Sequence, residues 1–532
     1  MNAIVANPAD AKPFSAGRRE WIGLGVIALP CLLYAMDLTV LNLALPRLSA
    51  DLRPTSSQLL WIVDIYGFLV AGMLVTMGTL GDRIGRRRLL LAGAATFGAA
   101  SVLAAFSRSA GMLIAARAVL GVAGATLAPS TLSLIRNMFP DPRQRTAAIG
   151  IWATSFSVGG AIGPVLGGLM LQHFWWGSVF LLAVPVMALL LILGPLLLPE
   201  YRDPAAGRLD LPSALLSLVA VLAVIYGMKR WAQDGAGWPP AGAIAAGLGV
   251  GFAFVRRQQR LADPLIDLRL FRVPAFRVSL ATFMLTTAVV FGSYVYIGQY
   301  LQLVLGLSPL AAGLWLLPGS CAVIAGSLLA PAIVRRVQPA YVIASALALA
   351  AIGFALITRV GVLGLPALVG GSAILYLGLG PVFTLGTELV VGAAPPERAR
   401  AAAAISETSS ELGGAMGIAI LGSVGTAIYR SAMAHVALDG IPVATRAVAR
   451  DTLGGAAAAA AHLPAGARAA LLLASRAAFG HALQMVAAIS ALVAVAVAVM
   501  ALVALRRRHD GGDVSAAAPA GAAEASDTRA AA

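Results

Sequence analysis

Apolar runs of about twenty residues, parted by short polar stretches, repeat along almost the whole chain. Such a run crosses a bilayer as a helix, because a helix satisfies its own backbone groups where no water can. Read this way, the sequence predicts an all-α polytopic membrane protein with fourteen spans. They fall at 21–45, 59–80, 89–107, 111–135, 146–171, 178–199, 211–228, 241–255, 278–305, 309–334, 340–358, 365–392, 401–429 and 479–505. Residues 21–199 and 278–505 each supply six spans, and 211–255 is a two-helix insert between them. A leader, 1–20, precedes the first span without a small-residue cleavage site, so that span reads as a retained anchor. The segment 430–478 is an external loop whose Ala-rich part is expected to be helical or to fold back on the membrane. The tail, 506–532, is rich in Ala, Gly, Asp and Ser and is expected to be disordered.

Polar residues inside the runs change this picture from a scaffold to a device. Asp37 and Asp64 lie in the first two runs with no other ionisable neighbour in either. An acid in a span is costly, and marks an ion path, a proton relay or a cation site by default. The plainer alternative is an acid held between helices by a hydroxyl or an arginine. Arg117, in the fourth run, needs an anionic partner or a wet cavity, and those two acids are the candidates; a snorkelling arginine is the other option. Glu407 and Glu411 share a face of the thirteenth span, four residues apart. Glu388 lies in the twelfth, where it either adds charge to a site or faces water near the helix end.

Composition agrees with the pattern. Hydrophobic residues make up 59% of the chain and charged ones 11%, and mean hydropathy is +0.87. The net charge of +15 does not imply nucleic acid, because the basic residues fall in bursts between spans. With the N-terminus inside, 26 of them face the cytoplasm and 11 face outward, which places both termini inside the cell membrane. Cys31 and Cys321 both lie in apolar runs, and the five histidines are scattered, so neither a disulfide nor a metal framework is expected. No phosphate-cradling loop, cofactor motif or nucleophile cluster occurs. An enzyme and an ATP-driven pump are therefore unsupported, and a receptor or channel is a weaker reading.

Two local motifs are more specific. Gly78, Gly81, Asp82, Arg83, Gly85, Arg86 and Arg87 form a loop between the second and third spans. There Asp82 can pair with basic partners and the glycines permit a tight turn, so Asp82, Arg83 and Arg86 read as a conformational latch. The bland alternative is a basic cytoplasmic loop. In the fifth span, Gly159, Gly163, Pro164, Gly167 and Gly168 combine close-approach positions with a break in the hydrogen-bond ladder. A weak echo also links the halves: Trp61 precedes Arg83, and Trp315 precedes Arg335, each across a glycine-rich span.

These motifs resemble those of the major facilitator superfamily, and the chain is similar over nearly its whole length to the fourteen-span drug:proton antiporter branch. The likeness rests on Met36 to Pro46 in the first span, Trp61 to Tyr66 in the second, Arg117 in the fourth and the Gly159–Gly168 motif in the fifth. Asp263 to Phe271 in the central loop and Ala401 to Gly414 in the thirteenth span complete it.

The resemblance implies two six-helix bundles with a midplane site and alternating access. It implies proton-coupled export of lipophilic cations, such as quaternary ammonium biocides, dyes and methyl viologen, by a monomer without cofactor. Asp37 would be required for coupling or cation binding, with Asp64, Glu407, Glu411 and Glu388 as further acids. Trp61, Tyr66 and Arg117 would line the substrate cavity, with Tyr294, Tyr296 and Tyr300 as further aromatic candidates. Two departures stand out. Ser406 precedes Glu407 where the branch has adjacent glutamates, and Val323 stands where some members place an acid. Export of a neutral antibiotic or metabolite is the alternative within the superfamily.

Overall fold

The computed structural model describes residues 16–202, 210–235, 237–261, 264–395, 398–436 and 441–510. The expectations for the leader before 16, for Asp263 and for the tail beyond 510 lie outside the described residues.

Among the described residues, fourteen helical segments are long and apolar enough to span a bilayer. The first half contains α1 (Arg18–Leu52), α2 (Ser56–Ile84), α3 (Arg86–Ala105), α4 (Ala110–Gly124), α5 (Leu127–Met138), α6 (Pro142–His173), α7 (Ser178–Leu181) and α8 (Ala183–Leu197). Here α4 with α5 makes one span, and α7 with α8 another. The insert is α9 (Leu211–Asp234) and α10 (Trp238–Arg260). The second half runs through α11 (Pro274–Gln299), α12 (Pro309–Val334), α13 (Pro339–Ile357), α14 (Val360–Leu363), α15 (Leu365–Gly392), α16 (Ala399–Ala434), α17 (Val443–Asp451), α18 (Leu453–Ala460) and α19 (Ala465–Asp510). A π-helical turn, Tyr300–Val304, continues α11.

Helix ends follow the local chemistry. Thr55 and Gln58 form a reciprocal cap at the start of α2. Ser109, Asp141 and Ser308 cap α4, α6 and α12 through their side chains, with proline first in the latter two helices. The α2–α3 turn pivots on Gly85 at φ +114°, a conformation open to glycine.

Packing reveals an internal duplication that the sequence only hinted at. In the first half α1 packs on α6, α2 on α4, and α3 on α8. In the second, α11 packs on α16, α12 on α15, and α13 on α19, so first-with-fifth, second-with-fourth and third-with-sixth span pairings recur. The seam between halves uses the same symmetry, with α2 against α16 and α12 against α6. The glycine motif of α6 explains how close these helices come. A Cβ on Gly159 would collide with the Leu32 carbonyl of α1, and one on Gly168 would lie 2.6 Å from the Pro309 carbonyl of α12.

Several boundaries depart from the hydropathy windows, and two of them have a clear cause. The span expected at 211–228 runs on to Trp231, because Lys229 is buried and its charge is matched inside the protein. The last helix begins at Ala465 rather than 479, since its early turns pack on the π-helical turn and on α18. The loop before it is structured: α17 and α18 fold over one end of the bundle. There the Asp451 carboxylate accepts from the Ser56 backbone at 2.8 Å and from its hydroxyl at 2.9 Å, tying this loop to the start of α2.

Candidate functional site

Ion pairs and acids converge in the interior on both sides of the seam. Arg117 is only 1% exposed, and its Nη1 lies 3.0 Å from Asp37 Oδ2. Its second amino group donates to the Val63 carbonyl at 3.4 Å, and its guanidinium lies 5.1 Å from the Tyr66 ring centre. Small residues permit this: a Cβ on Gly121 would lie 2.6 Å from the Tyr66 carbonyl, so α4 can press Arg117 against α2. The partner expected for Arg117 is thus Asp37.

Asp64 has a different partner. Lys229 of the insert places its ammonium 2.9 and 2.7 Å from the two carboxylate oxygens, and both side chains are fully buried. The same ammonium lies 3.8 Å from the centre of the Trp61 ring. Trp61 packs in the cluster of Phe68, Ile225, Ala415 and Ala419, between α2, α9 and α16. It therefore sits behind Asp64, on the insert side.

Glu411 meets the first half directly: the Tyr34 hydroxyl donates to its Oε1 at 2.5 Å. Tyr34 in turn lies 5.9 Å from Tyr66, ring centre to ring centre. Tyr34 lies one helical turn before Asp37 on α1, a spacing that makes it visible as a partner once Asp37 is singled out. Glu407 stands one turn before Glu411 with an exposed side chain, and Ser406 is fully buried. Glu388 is exposed near the end of α15.

A cavity of about 390 Å³ lies on the seam. Asp64 borders it from α2 and Glu411 from α16, with Phe156 of α6, Tyr294 of α11, and Val323 and Ser320 of α12 on other walls. Gly160 and Ala161 of the α6 motif reach it as well, and so do Ser372, Tyr376 and Phe383 of α15. Of the aromatic candidates, Tyr294 lines this space. Tyr296 instead donates to the Gly422 carbonyl at 2.9 Å. Asp37 borders a smaller recess with Phe97, Ser101 and Phe180. Arg117 and Tyr66 thus reach the cavity only through their neighbours.

Remote from this cavity, Asp82 of α2 pairs with Arg86 of α3 at 2.5 Å across the Gly85 turn. Arg86 is largely buried and also donates to the Pro129 carbonyl at 3.3 Å, whereas Arg83 is exposed. Glu200, beyond α8, completes the turn by accepting from the Arg87 backbone at 3.1 Å and lying 3.7 and 3.8 Å from the side chains of Arg87 and Arg88. Lys229, Tyr34 and Glu200 are functional candidates that sequence reasoning missed. Lys229 was detectable as one of two lysines among 38 basic residues, at the edge of an apolar run.

Known proteins match this architecture. The multidrug efflux pump LfrA of Mycolicibacterium smegmatis is 45% identical over 490 residues, covering 92% of this chain and 97% of that protein. The methyl viologen resistance protein SmvA of Salmonella typhimurium is 38% identical over 418 residues, 76% of this chain and 82% of its own length. Among solved structures, a bacterial homologue of the human lysosomal transporter Spinster in an inward-facing, unoccupied conformation aligns with a TM-score of 0.64 at 16% identity. It covers 92% of this chain and 98% of that one. A peptide transporter POT in complex with sulfate aligns at 0.60 and 17%, over 91% and 95% of the respective chains. Residues 27–418 match the Major Facilitator Superfamily. With fourteen apolar helices, paired six-span halves and relatives that are multidrug efflux pumps, the chain belongs to the Major Facilitator Superfamily: it is a multi-pass membrane transporter and not an enzyme.

Proposed function

We propose that the chain is a proton-coupled antiporter that exports lipophilic cations by alternating access. It works as a monomer in the inner membrane with both termini in the cytoplasm. Quaternary ammonium biocides, dyes and methyl viologen are the substrate classes. The observation that carries this reading is the seam cavity, walled by apolar and aromatic side chains and bordered by one acid from each half, Asp64 and Glu411.

A carboxylate held among apolar walls needs a proton, a cation or a hydrogen-bonded partner. Asp37 and Asp64 each have a basic side chain, whereas Glu411 has the neutral hydroxyl of Tyr34. Glu411 is therefore the acid at which a proton and a lipophilic cation exclude each other. An arriving cation displaces the proton, and a proton entering from the other side releases the cation. Asp37 takes part through Arg117, whose guanidinium lies over the Tyr66 ring beside Tyr34.

Everted vesicles with an imposed proton gradient test the reading. Addition of a lipophilic cation should release protons, and collapse of the gradient should stop export. Cation export that persists at full rate without a gradient would overturn it.

Export of neutral lipophilic compounds is a second reading. It is favoured by a larger cavity of about 680 Å³, lined mainly by apolar residues of α2, α9, α10, α11 and α16. The same vesicles distinguish the two, since a neutral substrate should compete for export without preferring Glu411 variants that keep the charge.

A further inference from the structure

We propose that Lys229 is a built-in cation that neutralises Asp64 and thereby makes the seam cavity favour monovalent over divalent cations. Its withdrawal would turn Asp64 into a second cation subsite. The inference rests on the reading that this cavity binds cations.

The geometry is that of an occupied ammonium site. A carboxylate contacts the ammonium through both oxygens, at 2.9 and 2.7 Å, and an indole face lies 3.8 Å away. Carboxylate and aromatic face together are what an exported ammonium ion would need. Here the chain supplies that ion itself, from the inserted helix pair. Both side chains are fully buried, so salt screens their interaction little.

The charge count follows. Asp37 is balanced by Arg117 and Asp64 by Lys229, which leaves Glu411 as the acid on the cavity wall with a neutral partner. One uncompensated acid matches one positive charge on a substrate. Asp64 nevertheless borders the cavity, so removing the ammonium behind it would present a second negative charge to the same space. The insert thus contributes a specificity-determining residue to the site, beyond spacing the two halves.

Two nearly isosteric probes test this on the purified full-length protein in lipid nanodiscs. They are N-methyl-4-phenylpyridinium, with one charge, and methyl viologen, with two. Lys229→Gln should raise affinity for methyl viologen on the order of tenfold relative to the monovalent probe. Asp64→Asn should weaken both probes, because it leaves Lys229 uncompensated, and the double variant Asp64→Asn/Lys229→Gln should recover monovalent binding. An unchanged ratio of the two affinities in Lys229→Gln overturns the proposal. Should Lys229→Gln fail to reach the membrane, the double variant decides. Monovalent binding lost in Asp64→Asn and not recovered in the double variant makes Asp64 a direct ligand and overturns the proposal. Failure of the unmodified protein to bind either probe removes the cation-export reading itself, a distinct outcome.

Discussion

Tyr34 of the first half donates its hydroxyl to Glu411 of the second at 2.5 Å, joining the halves at the wall of the central cavity. A hydrogen bond to a charged group contributes roughly 1.5–3 kcal/mol. Loosening it should change how readily Glu411 exchanges its proton. Tyr34→Phe removes a donor from the ionised carboxylate, so it is expected to retain export of cations and to raise rather than lower the number of protons released per cation. Glu411→Gln should abolish that release, whereas Glu407→Gln should weaken cationic substrates more than neutral ones. Stoichiometry in everted vesicles, read for both substrate types, checks all three. Equal losses for neutral and cationic substrates in Glu407→Gln would remove its recognition role.

Asp37→Asn should abolish proton-coupled export while leaving the protein in the membrane. It also strands the Arg117 guanidinium, so unfolding should become easier by about 3–5 kcal/mol. Arg117 keeps its contacts to the Val63 carbonyl and to the Tyr66 and Phe180 rings. The double variant Asp37→Asn/Arg117→Met should regain much of the stability and none of the transport. Thermal unfolding in detergent alongside vesicle transport separates the two effects.

Asp82→Ala and Arg86→Ala break a contact that closes the Gly85 turn, far from the cavity. Turnover should fall several-fold while the set of competing compounds stays the same. A competition panel with altered ranking would exclude a latch role.

Asp210 caps the start of α9 and binds Arg257 of α10 at 2.9 Å. Burial pushes its carboxyl up, but hydrogen bonds from Ser213 and Arg257 outweigh this and hold it below the ordinary range. A folded-state value below the unfolded one stabilises the protein above the ordinary carboxylate value and loses that effect as pH falls through the lowered one. Asp210→Asn should therefore lower the unfolding temperature at neutral pH, and the gap to the unmodified protein should close on acidification. A gap independent of pH would contradict the ion-pair role.

Much of the fold was legible because a bilayer admits few solutions: apolar runs of sufficient length become helices, and all fourteen did. Asp37 and Arg117 were legible for the same reason, since each was too costly to stand alone. The Lys229–Asp64 pair was not legible. Hydropathy averages over a window, and a lysine at its edge reads as the end of a span unless its partner, 165 residues away, is known. The placement of Trp61 behind Asp64 followed from the same unseen contact. The interruption of the fourth span at Ala125 and Thr126 and of the sixth at Leu182 left no hydropathic trace either. Each break is marked by a proline instead: Pro129 follows the first and Pro185 the second by three or four residues, with no N–H to continue the helix ladder.

The inserted helix α9 touches both halves, α2 on one side and α16 on the other, but the two contacts differ in kind. Toward α2 it is pinned by a buried charge pair; toward α16 it meets, across Ile225, an uncharged surface of Ala415 and Ala419 with Leu412 and Met416. Under the proposed alternating access, α9 would travel with the first half and slide along the second. The insert then acts as a bearing with one fixed face, and its sliding contact is where a bulky side chain at Ala415 or Ala419 would jam the cycle without touching any charged group.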